Sequence, residues 1–160
     1  LFGVDVPEDV QGKAIDGIVR DDTPNREYAM YGVFSGHVNV TDGHYAYMRA
    51  ARPELKDEVY NYTLVPHHMN KRFSAAELRD ATLAEPFSFT KGCRTLKVKS
   101  KDRYNVARFG DRLYDLEADP GEVSPISDPE VEGRFEEALV SLMRECDAPP
   151  EQYARLGLTR

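Results

Sequence analysis

HVNVTDGHYAYMR, residues 37–49, carries the clearest local signal in the chain. Apolar and polar residues alternate on both sides of Asp42-Gly43, a dipeptide suited to a tight turn between antiparallel strands. A two-residue turn there sets Val40 opposite Tyr45 and Val38 opposite Tyr47 on one face. His37, Asn39, Thr41 and His44 then fall on the opposite, more polar face, with His37 facing Met48. Turn chemistry and alternation agree, so the stretch predicts a β-hairpin.

Working outward, YAMYGVF (28–34) is aromatic and apolar over the length of a strand. Before it, residues 3–27 hold Pro7, Gly12, Gly17 and Pro24 with little periodicity, and read as loop. The opening LFG reads as the last turn of a helix that began earlier, so residues 1–27 are expected to be a linker and residues 28–160 the domain. Residues 51–73 are broken by Pro53 and Pro66 and are expected to be mostly irregular. Ser74, with Glu77 three places on, forms a capping box for a short helix that ends before Pro86. TLKVKS (95–100) alternates with Leu96 and Val98 inward, and RLYDL (112–116) suits a further strand.

Asp128-Pro129 supplies a cap and a first-turn proline for the longest helix. Val131, Phe135, Leu139, Leu142 and Cys146 form its apolar stripe, with Glu132, Arg134, Glu136 and Glu137 turned to water. EQYARLGL (151–158) adds one more turn that docks through Tyr153, Leu156 and Leu158. Strands first and a long helix last predict an α+β fold: a small antiparallel β-sheet with the helix packed on one face.

The chain has 21 basic and 28 acidic residues, for a formal charge of −7, which argues against nucleic acid or an anionic membrane as the main partner. No apolar run reaches the roughly 18 residues that a membrane span needs. Cys93 and Cys146 have no metal-ligand spacing and read as two separate thiols.

LYDLEADPGE (113–122) is similar to the L-Y-D-L-x-x-D-P-x-E segment that closes a sheet and leads to the last helix in sulfatases of the alkaline phosphatase superfamily. The family pattern continues to Asn-Leu; here Pro125 and Ile126 stand in those places, keeping the apolar position. LFGVDVPEDVQGK, GHVNVTDGHYAYMR, YTLVPHHM, EPFSFTKGCRTLKV and APPEQYARLGL resemble one bacterial branch of arylsulfatase-type proteins. The likeness runs over nearly the whole chain, and it implies the C-terminal α+β subdomain of a sulfatase. The missing N-terminal catalytic domain is its expected partner.

Sulfatases act through a formylglycine made from Cys or Ser in C-x-P-x-R or S-x-P-x-R, beside a divalent cation, usually calcium. Cys93 begins CRTLK, with Thr95 and Lys97 where that motif has Pro and Arg. The resemblance therefore implies calcium and formylglycine for a full-length enzyme and carries no catalytic or metal-binding residue onto this chain.

Among the chemical candidates, His67, His68, Lys71 and Arg72 in VPHHMNKR are expected at the rim of a substrate pocket, where the two cations would meet a sulfate. A plain packed or solvated loop is the leading reading of the stretch by itself, and a shared metal on the two histidines would need an unusual backbone. Asp115, Glu117, Asp119 and Glu122 read as turn formers, since their spacing fails an EF-hand. Glu122 is expected to accept backbone hydrogen bonds. The basic run Lys97–Arg103 suits either a sulfated partner or a solvated strand end.

The expected role is support and rim for a sulfuric ester hydrolase acting on a sulfated small molecule or glycan, inactive alone and prone to self-association once uncovered. Two alternatives stay open. One is the equivalent part of a phosphonate or phosphodiester hydrolase. The other is a stand-alone module that binds an anionic glycan or a protein.

Overall fold

The computed structural model describes residues 5–7, 10, 12–68 and 70–160; the opening Leu1–Gly3, expected as a helix end, lies outside them. In chain order the elements are α1 (Asp16–Asp21), β1 (Ala29–Gly32), β2 (Val38–Thr41), β3 (Tyr45–Arg49), β4 (Tyr60–Thr63), α2 (Ala75–Leu78), β5 (Thr82–Ala84), β6 (Thr95–Lys99), β7 (Arg112–Asp115), α3 (Pro129–Glu145) and α4 (Pro150–Leu156). The fold is α+β, as the order of signals implied. It holds two antiparallel sheets rather than one: a four-stranded sheet ordered β1-β2-β3-β7 and a three-stranded sheet ordered β4-β6-β5.

The hairpin forms, in a different register. Val40 pairs with Tyr47 and Val38 with Arg49, two residues away from the pairing expected of a two-residue turn. Side chains at the turn cause the shift. Asp42 Oδ1 accepts from the amides of His44 and Tyr45 at 2.9 and 2.8 Å, and Thr41 Oγ1 accepts from the Gly43 amide and donates to the Tyr45 carbonyl. These bonds stabilise a longer loop, with Gly43 at a φ of 95°. A slip of two preserves the faces, because side chains alternate with period two. Asn39, rather than His37, faces Met48.

The inward face of the large sheet packs on α3. Val40, Tyr47 and Leu113 meet Phe135, Leu139 and Met143, and Tyr153 and Leu156 of α4 complete the cluster. Tyr28, Tyr45 and Tyr47 surround the Phe135 ring at centroid distances of 5.6, 6.4 and 6.5 Å. Each fully buried side chain of this size contributes about 1.5–3 kcal/mol. The helix begins where its cap requires: Asp128 Oδ1 accepts from the Glu130 and Val131 amides, and Pro129 takes the first turn. Its inward stripe is Phe135, Leu139 and Met143, at successive steps of four; Cys146 is exposed. Glu136 stays partly in water, as expected, yet its carboxylate reaches a buried arginine.

That arginine is Arg49, which is 3% exposed. It pairs with Asp111 at 3.0 Å and with Glu136, and donates to Tyr47 Oη at 3.0 Å and to the Leu156 carbonyl at 2.8 Å. One guanidinium thus ties β3, the start of β7, α3 and the carbonyl end of α4. Burial works against its charge, and its hydrogen bond to Tyr47 and the nearby carboxylates outweigh burial, so its pKa is raised.

The small sheet is built on β6, the strand expected from TLKVKS; one of its edges, β4, lies in the region expected to be irregular. Ser74 and Glu77 form the expected capping box around a single turn, α2, after which Thr82–Ala84 pairs with β6 instead of prolonging the helix. Val98 is fully buried and Leu96 partly so. A second correction lies near the start: α1 forms within the stretch expected to be loop, and buries no residue.

Candidate functional site

The predicted rim is a tight excursion between β4 and α2. His67 bridges to Arg72, the His68 amide donates to the Lys71 carbonyl at 2.6 Å, and the Phe73 amide closes the loop on the Pro66 carbonyl at 3.1 Å. Phe73 is buried and anchors the base. The His68 ring lies 4.0 Å from the Phe73 ring and its Nε2 is 2.8 Å from Glu77 Oε1. Glu77 also accepts from the Ser74 amide and hydroxyl, both at 2.8 Å. Those bonds, with His68 adding to them, hold its carboxyl down to about 2.

The two histidines do not converge. His67 turns its Nδ1 to the His68 carbonyl and is exposed, while His68 is half-buried against α2. Lys71 and Arg72 are exposed, and among the described residues neither makes an ion pair. The arrangement presents two cations and one imidazole to the outside, and spends the second imidazole on holding the loop to its helix.

The basic run is partly consumed at home. Lys97 Nζ pairs with Glu151 of α4 at 2.5 Å and lies 4.3 Å from the Tyr60 ring centroid. Lys99 pairs with Glu58 at 2.9 Å, and Glu58 accepts from Tyr60 Oη at 2.6 Å. Tyr62 Oη donates to Glu151, and its pKa is raised by burial and by that carboxylate. A network of tyrosine, lysine and glutamate therefore fastens the small sheet to α4.

The acidic turn works as a turn. Asp115 Oδ1 accepts from the Glu117 and Ala118 amides, each at 3.0 Å, and Asp119 Oδ2 from the Val123 and Ser124 amides, each at 2.8 Å. Asp119, rather than Glu122, thus accepts the backbone bonds, and Glu122 adopts a φ of 51°. His37 Nε2 sits 3.1 Å from the Gly110 carbonyl, and His44 stacks on Tyr45 beside Asp115.

The residues present do not fit a formylglycine and calcium centre. Cys93 is exposed, and among the described residues no group of three or more His, Cys, Asp or Glu comes together. No described helix is long and apolar enough to cross a membrane.

Two cavities lie elsewhere. One, of about 660 Å³, separates residues 26–30 from α3. The other, of about 260 Å³, lies between the β1–β2 connection, β4 and α4. The His67–Arg72 loop lines neither. The second is bounded by Arg155, which is 2% exposed and which sequence reasoning passed over. A signal for it existed: Arg155 stands four places after Glu151 and so shares its side of α4. Arg49 was equally legible, since alternation puts it on the face of Tyr45 and Tyr47. Comparison with protein-family models and with curated proteins finds no match for this chain.

Proposed function

We propose that this chain is the C-terminal, non-catalytic part of a sulfatase-type hydrolase, serving as support and rim for a catalytic domain that carries the nucleophile and metal. What supports the reading is the use made of LYDLEADPGE. Leu113 and Tyr114 are buried in β7, Asp115 and Asp119 turn the chain, and Ile126 returns to bridge Leu113, its amide 2.8 Å from that carbonyl. The long helix follows at once. This is the task of the family segment it resembles, closing a sheet and leading to the last helix. Ile126 holds the apolar place of the family pattern.

The surface offered to the catalytic domain is the sheet face turned away from α3. Its middle row is Tyr31, Asn39, Met48 and Arg112, neighbours by register across four strands. Phe109 lies beside this row with its ring 5.2 Å from the Arg112 guanidinium, and both Phe109 and Tyr31 are exposed. The buried Oδ1 of Asn39 has no partner among the described residues, and a docked domain would supply one. His67, Lys71 and Arg72 would then reach the mouth of the sulfate site. In the parent enzyme a sulfate ester is hydrolysed to an alcohol and inorganic sulfate.

An immunoblot of the native source with an antibody against residues 28–160 tests the reading. The expected band is far heavier than 18.1 kDa; a single band near that mass overturns it and favours a stand-alone module. The chain alone is expected to leave 4-nitrophenyl sulfate intact with or without calcium, and to self-associate in sedimentation runs through its uncovered face.

A further inference from the structure

Among the described residues two arginines are buried, and they are treated differently. Arg49 has two carboxylates and several oxygens around it. Among the described residues Arg155 donates to two main-chain carbonyls alone, from Nη2 to Ser35 at 3.2 Å and from Nε to Lys56 at 3.4 Å. Among the described residues no carboxylate forms a salt bridge with it. A guanidinium has five N–H donors, so most of those on Arg155 lack an acceptor among the described residues. Burial pulls its pKa down, and the charge of Asp102 pulls the other way. A buried cation with no ion-pair partner among the described residues is costly and favours the approach of an anion.

Space for one adjoins it. The cavity of about 260 Å³ bounded by Arg155 has walls that include Val33, Phe34, Val59 and Tyr60. Glu58 and Glu151 also line it, and both are already engaged, Glu58 with Lys99 and Tyr60, Glu151 with Lys97 and Tyr62. Both are held in ion pairs within the protein, whereas Arg155 has the more distant charge of Asp102 and, among the described residues, no ion pair. The wall is itself tied down: Ser35, at a φ of 62°, gives its carbonyl to Arg155 and accepts at Oγ from the Arg103 amide at 3.0 Å.

We propose that this cavity binds a small organic oxyanion, a carboxylate or sulfate ester on a flat apolar body, with its head on the Arg155 guanidinium and its body between Phe34, Val59 and Tyr60. Planar oxyanions suit the forked donors of arginine, and the volume accommodates a single-ring compound. The site belongs to this chain alone and does not depend on the sulfatase reading.

Titration of the full chain with phenylacetate and with phenyl sulfate, followed by NMR at the Arg155 Nε–H and the Val33 and Val59 methyls, tests it. The expected result is saturable shifts with one or both anions and none with benzyl alcohol. Response to phenylacetate alone marks a carboxylate site, and response to phenyl sulfate alone a sulfate site. Arg155→Gln is expected to weaken binding at least tenfold. Val33→Trp adds bulk at a residue that lines the cavity and leaves Arg155 in place, and is expected to weaken it equally; it decides the matter if Arg155→Gln fails to fold. Absence of saturable shifts in the wild type, or undiminished affinity in a folded Arg155→Gln or Val33→Trp variant, overturns the proposal.

Discussion

Replacing Arg49 by Met tests whether one buried cation organises the helical side of the domain. Methionine keeps much of the stem volume and removes the charge. The change deletes the ion pairs to Asp111 and Glu136 and the bonds to Tyr47 and the Leu156 carbonyl. Breaking a buried pair by removing one partner costs about 3–5 kcal/mol, chiefly because the other charge is left uncompensated. Here the side chains of Asp111 and Glu136 are 29% and 38% exposed, so water recovers part of that loss. The lower end, about 3 kcal/mol, is therefore expected. At about 2–4 °C per kcal/mol for a chain of this size, Tm should fall by roughly 6–12 °C. Urea unfolding followed by tyrosine fluorescence, the chain having no tryptophan, measures the free-energy loss, and thermal unfolding followed by far-UV circular dichroism measures the fall in Tm. Arg49→Lys should recover only part of the loss, since an ammonium cannot span both carboxylates and the carbonyl end of α4. A loss below about 1 kcal/mol in Arg49→Met, against the ~3 expected from breaking a buried pair, would refute the organising role.

Asp128→Ala removes the cap of α3 and should cost about 1 kcal/mol in the same urea experiment, while Asp128→Asn should cost much less. Glu77 has a carboxyl held at about 2, below its ordinary 4.5. Because the folded value is the lower one, the stabilisation is fully present above about 4.5 and fades as pH falls towards 2. Glu77→Gln should therefore flatten the acid limb of the stability curve in that window and leave neutral pH less affected in slope; an unchanged acid limb would contradict the capping geometry. Both thiols should react with a thiol reagent in the native state, Cys93 and Cys146 being free and exposed; a titre of one would show that one is shielded by self-association.

Local chemistry was legible wherever it acts within a few residues. Asp128-Pro129 starts a helix, Ser74 and Glu77 close a capping box, and alternation along residues 37–49 sorts inward from outward side chains, because caps and pleats are decided by near neighbours along the chain. Register was another matter. Asp42-Gly43 suits a two-residue turn, yet Asp42 and Thr41 gather amides from His44, Tyr45 and Gly43 into a longer loop, a competition between side-chain and ladder bonds that composition does not rank. β4 and β5 escaped notice because three- and four-residue strands have too little pattern of their own; pairing with β6 makes them strands. The candidate site divides the same way. His67, His68, Lys71 and Arg72 are visible as a cluster in the sequence, but only the fold separates His67 from His68 and gives the latter to Glu77. Spacing places Arg49 on the inward face and Arg155 on the side of Glu151, but tertiary packing decided what each charge meets: carboxylates 62 and 87 positions away for Arg49, and no ion-pair partner among the described residues for Arg155. The energy of a buried charge depends on its surroundings, and those are assembled from distant parts of the chain.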